Sequence, residues 1–282
     1  MKIQIAPGRR LFVDIEGAGL LPAGAAMREQ RTLILLHGGP GYDHSSFKPL
    51  FARLTDLAQV VYVDHRGHGR SDACPLQEIT LDNLADDVVR LCTALGIVKP
   101  IVLGQSFGGF VAQRLIARHP GHPARVILSS TSARLSLSRK LAMFERLGGP
   151  AARQAAQRFW TAPDAASWAD YSRLCRPHYN RHAADEQAAR RTLFKPEILF
   201  HWAAGEQQTM DLLPGLARAE CPVLVLAGER DPVCPLADAQ DIADALPPRW
   251  LQFESFADCG HGVWRDDPDA AFVALRRFIG AQ

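Results

Sequence analysis

Ile101-Val102-Leu103-Gly104-Gln105-Ser106-Phe107-Gly108-Gly109 sets the reading of the whole chain. An apolar run of strand type leads into it, and a stretch of helical character, residues 107–119, leads out. Between them the residues read G-x-S-x-G. In a strand–turn–helix context that spacing carries a nucleophilic serine on a sharp turn. The reason is steric. Residues two before and two after the serine must pack against each other, and Gly104 and Gly108 lack the Cβ that would prevent it. Ser106 then sits on strained backbone at the end of its strand. The helix opening at Phe107 points its free N–H groups toward it.

Working outward, short apolar runs recur at residues 32–36, 59–63, 125–128, 222–227 and 250–253. They are continuous rather than alternating, as strands buried on both faces are. Helical spacing follows several of them. Residues 80–96 place Leu81, Leu84, Val88, Leu91 and Leu95 on one face behind Thr80 as N-cap. Helices are also expected over 45–56, 236–246 and 268–280. Residues 2–5 and 10–15 read as a hairpin turned at Pro7-Gly8, and 17–30 as a loop. This alternation predicts an α/β fold, a mostly parallel sheet covered by helices on both faces. The core is assigned to 1–131 and 215–282. From 132 to 214 the strand rhythm stops. That stretch is rich in Ala and Arg, is broken at Gly148-Gly149-Pro150, Pro163, Pro177 and Pro196, and carries large aromatics including Trp160 and Trp202. It is expected to form a helical cap inserted into the core.

The totals exclude several classes. The 282 residues carry 32 Lys and Arg against 30 Asp and Glu, a net of +2, which gives no electrostatic basis for binding nucleic acid or an anionic membrane. No apolar run nears the roughly 18 residues of a membrane span, and the first residues show no export signal. The six cysteines have no zinc-type spacing and are read as reduced and packed, in a cytoplasmic protein. No metal and no cofactor is called for, and oligomeric state is not legible.

Every distinctive motif follows a strand, so all fall along one edge of the sheet, where open α/β sheets bind ligands. A serine hydroxyl needs a base within hydrogen-bond reach. His261, between two glycines after the last strand, is the candidate. Asp231, after the preceding strand, is the candidate carboxylate, preferred over Asp258 because Asp258 shares the histidine's own loop. Ser106 would attack, His261 would move the proton, and Asp231 would fix the imidazole. The oxyanion donors are expected at the N–H of Gly39 and of Phe107. Gly38 keeps the His37-Gly38-Gly39-Pro40-Gly41 loop free of side chain beside the substrate, and Trp160 and Trp202 are the candidate substrate contacts in the cap. His37 is read as structural, while His65 and His68 are read as contacts within an exposed loop.

Taken together, the turn at Ser106, His37-Gly38-Gly39-Pro40-Gly41, the stretch Asp64-His65-Arg66-Gly67-His68-Gly69-Arg70-Ser71, Gly228-Glu229-Arg230-Asp231 and Gly260-His261 resemble the α/β-hydrolase superfamily. The His-Gly-Gly-Pro-Gly stretch is most similar to the proline iminopeptidase group. The resemblance implies a cofactor-free serine hydrolase with a helical cap, in which residues 64–71 are a structural signature. Two positions depart from that group: Pro232 stands where some members carry an acid, and Phe107 stands where tryptophan is frequent. A substrate with a free amine would need a carboxylate partner, for which the cap offers Glu145, Glu186, Glu197 and Glu206; by residue type each is a solvated helix-face charge. The expected activity is cleavage of an ester or amide of a small molecule or short peptide through an acyl-enzyme. Ligand binding without turnover, or acyl transfer to an alcohol, are the alternatives on the same fold.

Overall fold

The computed structural model describes residues 1–182 and 186–281, with the side chain of Glu186 outside that description. At one edge of an eight-stranded sheet, β1 (Lys2–Ala6) and β2 (Arg9–Glu16) form the expected hairpin, and β2 pairs antiparallel with β6 (Ala58–Val63). The remaining strands are parallel: β5 (Arg31–Leu36), β7 (Ile101–Gln105), β8 (Arg125–Ser129), β9 (Val223–Gly228) and β10 (Leu251–Phe256). The order across the sheet is β1-β2-β6-β5-β7-β8-β9-β10. Residues 17–30 are not the expected loop. β3 (Leu20–Ala23) and β4 (Ala26–Glu29) pair there as a separate small hairpin. Neither strand has a buried residue, so neither shows the in–out alternation that marks a half-buried strand.

The strands' apolar runs divide between two cores. Ile34, Leu36, Val61, Val102 and Val225 face one layer, against α1 (Leu81–Leu95), α2 (Phe107–Arg118) and α8 (Leu236–Ala245). Leu33, Leu35, Tyr62, Leu103 and Leu224 face the other, against α9 (Val263–Asp266) and α10 (Pro268–Gly280). Thr80 caps α1 as expected, its hydroxyl accepting from Asn83 N–H, and Gly96 closes the helix in left-handed geometry. The helix expected at 45–56 is instead two short 3-10 turns, His44–Phe47 and Leu50–Leu54. Pro49, which has no N–H to donate, lies between them.

Between β8 and β9 most of the chain is helix: α3 (Leu137–Thr161), α4 (Ala165–Leu174), α5 (Glu186–Arg191), α6 (Pro196–Ala204) and α7 (Leu213–Leu216). α3 breaks at Gly149, φ 73, ahead of Pro150. The insertion has its own apolar centre, Phe144, Phe159, Trp160 and Tyr171, which runs on into Val233 and Cys234 of the sheet's loop edge. No helix among the described residues is long and apolar enough to cross a membrane.

Candidate active site

The serine turn is built as its glycines require. Ser106 has φ 53 and ψ −114, and its carbonyl accepts from Gly109 N–H at 2.9 Å and Thr131 Oγ1 at 2.8 Å. A Cβ on Gly104 would stand 2.2 Å from the Gly108 carbonyl oxygen, and one on Gly108 would stand 2.0 Å from that of Leu36. Strand, turn and helix therefore meet at distances open only to glycine.

The loops after β9 and β10 bring the other two residues to Ser106. His261 Nδ1 lies 2.8 Å from Asp231 Oδ2, and His261 Nε2 lies 3.0 Å from Ser106 Oγ. A carboxylate can only accept, so Nδ1–H donates to Asp231 and Nε2 is left to accept from the serine hydroxyl. The other oxygen of Asp231 accepts from Val233 N–H at 2.7 Å and Cys234 N–H at 2.9 Å, which fixes the carboxylate's direction. All three side chains are buried. Asp258 is not at the site; it lies exposed beside Arg181 and Arg230.

The Gly38-Gly39 loop packs against the end of β7. A Cβ on Gly38 would fall 2.1 Å from Gln105 Oε1, and Gly39, at φ 63, has Tyr42 closed over it. His37 holds this loop. Its Nε2 accepts from His65 N–H at 3.2 Å, which leaves Nδ1–H to donate to Gly38 O at 3.0 Å. Burial lowers the His37 pKa, against the attraction of Asp64, and keeps the ring neutral at pH 7. As the first residue of α2, Phe107 has an N–H with no intrahelical partner.

Residues 31–268 match the family model described as alpha/beta hydrolase fold. The chain belongs to the alpha/beta hydrolase fold family. Over 254 residues it is 29% identical to a Caulobacter vibrioides protein named "Putative carbamate hydrolase RutD", spanning 88% of this chain and 90% of that one. It is 34% identical over 124 residues to proline iminopeptidase PfmaB of Pestalotiopsis fici, 43% of each chain. The solved structure of Mycobacterium smegmatis proline iminopeptidase superposes with a TM-score of 0.78 at 21% identity, over 99% of this chain and 97% of that one. At that identity the likeness concerns the fold.

Several parts of this α/β hydrolase site were not readable in advance. His65 and His68 are buried, not exposed. With Trp202 and Phe110 they box the Phe107 ring, at centroid distances of 5.6, 5.6, 5.0 and 6.2 Å. Trp202 thus packs on the residue after the serine. Trp160 packs within the insertion, against Phe159 and Tyr171, and has no described contact with Ser106. From the insertion, Tyr179 reaches His261: its carbonyl accepts from His261 N–H at 2.6 Å, and its ring stands 5.4 Å from the imidazole. Asp266 fastens the same loop. Its carboxylate accepts from Gly260 N–H at 2.8 Å, and from Arg181 N–H, His182 N–H and the Asn180 amide. The only local signal for these contacts was Gly260, where a Cβ would stand 2.1 Å from Tyr179 O.

Two of the acids considered as amine partners are engaged elsewhere. Glu145 pairs with Arg153 in solvent, Glu206 accepts from Leu81 N–H at the start of α1, and Glu197 is exposed. The Glu186 side chain lies outside the described residues. Among the described residues, Asp231, Cys234 and His261 bring possible metal-ligand atoms within 4.8 Å of one another. An ion there would have to displace the His261 proton from Asp231. A surface cavity of about 550 Å³, lined by Met143, Arg146, Glu229, Arg230 and Asp258 among others, borders the insertion and includes neither Ser106 nor His261.

Proposed function

We propose that this α/β hydrolase cleaves a carboxylic ester, or a like amide, of a small molecule through an acyl-enzyme on Ser106. The reading is carried by the continuous hydrogen-bonded line from Asp231 Oδ2 through both nitrogens of His261 to Ser106 Oγ, with steps of 2.8 and 3.0 Å. As Oγ attacks the carbonyl carbon, His261 Nε2 takes its proton, and Asp231 stabilises the imidazolium through Nδ1–H. The N–H groups of Phe107 and Gly39 receive the oxyanion. His261 then protonates the leaving group, and water repeats the sequence to free the acid. The helical insertion serves as a cap over this chemistry. Phe194 stacked on Tyr42, the ring beside Gly39, supports an apolar wall for the bound group.

An ester is favoured over the free-amine peptide that the proline iminopeptidase relatives' names suggest. Of the four glutamates that might hold an amine, the three with described side chains are paired, used as a helix cap or exposed. The test compares wild type with Ser106→Ala on p-nitrophenyl acetate, p-nitrophenyl butyrate and prolyl p-nitroanilide. Ester turnover is expected to fall at least ~10³-fold in the variant. Retained turnover would refute the nucleophile, and cleavage of the prolyl compound alone would move the reading to an aminopeptidase.

A further inference from the structure

Resting on that acyl-enzyme reading, we propose that Ser130 is a positioning residue for the reaction. With Ser129 and Thr131 it brackets the serine turn and the histidine loop, and its hydroxyl holds His261 within reach of Ser106. Glycines aside, the described residues adopt a φ in the left-handed region at three places: Lys99, Ser106 and Ser130. Lys99 is exposed, ahead of β7, and Ser106 is the serine of the turn. Ser130, at φ 46, is buried just past the end of β8. Such a conformation is costly for a residue with a Cβ and persists where the surroundings impose it. They do so here. Ser130 N–H donates to Leu226 O in β9 at 2.9 Å. On one side, Ser129 O accepts from Ser106 N–H at 3.0 Å. On the other, Thr131 Oγ1 donates to Ser106 O at 2.8 Å. The residues flanking Ser130 thus hold both backbone polar groups of Ser106. Between them, Ser130 Oγ accepts from Gly262 N–H at 3.0 Å.

Gly262 directly follows His261. The three consecutive N–H groups of that loop each go to a different element: Gly260 to Asp266 Oδ2 at 2.8 Å, His261 to Tyr179 O at 2.6 Å, and Gly262 to Ser130 Oγ. Of these acceptors, Ser130 belongs to the segment that also grips Ser106. The link from the serine turn to the histidine loop is then short and stiff, a few backbone atoms and one side-chain oxygen. A glycine would adopt φ 46 without steric cost. The turn itself has no need of the serine side chain, whereas the Gly262 N–H does. Proton transfer from Ser106 Oγ to His261 Nε2 requires a separation of about 2.6–3.2 Å. A displacement of about 1 Å can cost about 100-fold in rate. Loosening the bracket therefore acts on kcat and leaves substrate binding largely alone.

Two variants separate the hydroxyl from the turn. Ser130→Ala removes the oxygen and keeps the strained Cβ. Ser130→Gly removes the oxygen and relieves the strain. On p-nitrophenyl acetate both should lose kcat by about ten-fold or more, with KM within about two-fold of wild type. Their urea midpoints should part, Ser130→Gly standing above Ser130→Ala. Activity would then follow the hydroxyl, and stability the backbone. In protein carrying isotopically labelled glycine, the Gly262 amide should exchange with solvent about ten-fold faster or more in Ser130→Gly than in wild type. Wild-type kcat in folded Ser130→Gly protein would overturn the proposal. So would a loss of kcat in Ser130→Ala that Ser130→Gly restores, or an unchanged Gly262 exchange rate. Failure of the acyl-enzyme reading looks different: wild type would match Ser106→Ala on the ester. The Gly262 exchange rate would then decide by itself whether Ser130 holds the loop.

Discussion

Ser106 stands at φ 53 and ψ −114, in a region that side-chain-bearing residues seldom occupy. What holds it there is backbone meeting backbone. Leu36 O lies where a Gly108 Cβ would be, at 2.0 Å, and His37 O at 2.8 Å. Neither neighbour is a side chain that can swing aside, so Gly108→Ala must push β5 and the His37-Gly38-Gly39 loop away from α2. Overpacking of this kind costs about 1–3 kcal/mol and sometimes more. The expected result is a lower urea midpoint together with a loss of ester turnover larger than the loss of folded protein, because the displaced loop carries the Gly39 N–H. Normal turnover in a folded Gly108→Ala protein would mean that the loop does not depend on this contact.

Among the elements, α1 depends on a charge that its sequence periodicity hides. Asp87 falls on the stripe set by Leu84, Val88 and Leu91, and it is buried with them. Its partner comes from the Arg- and Gly-rich loop after β6. Arg66 Nε donates to one carboxylate oxygen at 2.7 Å and Arg66 Nη2 to the other at 2.6 Å. Removing one member of a buried pair costs about 3–5 kcal/mol when the other is left uncompensated, but Arg66 keeps a second carboxylate, Glu78, 3.2 Å from its Nη1. Asp87→Ala is therefore expected to lower the unfolding free energy in urea melts by less than that, about 1–3 kcal/mol; no measurable change would mean that Glu78 alone balances Arg66. The same loop marks where the sequence stopped being legible. Apolar runs and the glycines of the serine turn are local signals, and they marked the strands of the eight-stranded sheet, α1 and α2, while Asp231 and His261 were chosen by their positions on the loops after the last two strands. His65 and His68 look exposed because their neighbours are Arg and Gly, but they are buried against Phe107 and His37, distant in the chain. The β3–β4 hairpin buries neither strand and so leaves no pattern. Tyr179 and Asp266 bridge the insertion and the sheet, and nothing in either stretch alone encodes the partner.

For the molecule as a whole, the buried histidines link folding to pH. His37, His65 and His68 sit together, with ring centres 4.4, 5.4 and 5.7 Å apart. Burial lowers the pKa of each. His65 is pushed well below the usual value, further by the charges of His37 and His68, and His68 falls to about 3, against the bond from its Nδ1 to Arg66 O. The unfolded chain takes up these protons near pH 6.5, and the folded chain does not. Below that pH the unfolded state binds more protons, so stability is full above about 6.5 and is lost as pH falls toward 3. Each such histidine contributes up to about 1.4 kcal/mol per pH unit within the window. Asp64 acts lower down. Burial would raise its pKa, but the His44 hydrogen bond, the nearby His37 and His44, and the Arg70 N–H together bring it to about 2. Its contribution is therefore present above about 3.8 and lost only below that. His68→Asn separates these parts, because an Asn amide can replace the Nδ1–H that donates to Arg66 O while removing the titration. Urea unfolding of both proteins between pH 8 and pH 4 should show the wild type losing stability relative to the variant as pH falls below about 6.5. The difference should steepen toward about 1.4 kcal/mol per pH unit. A difference that stays constant with pH would mean that His68 takes up its proton in the folded state as readily as in the unfolded one, and that the space around Phe107 is open to water.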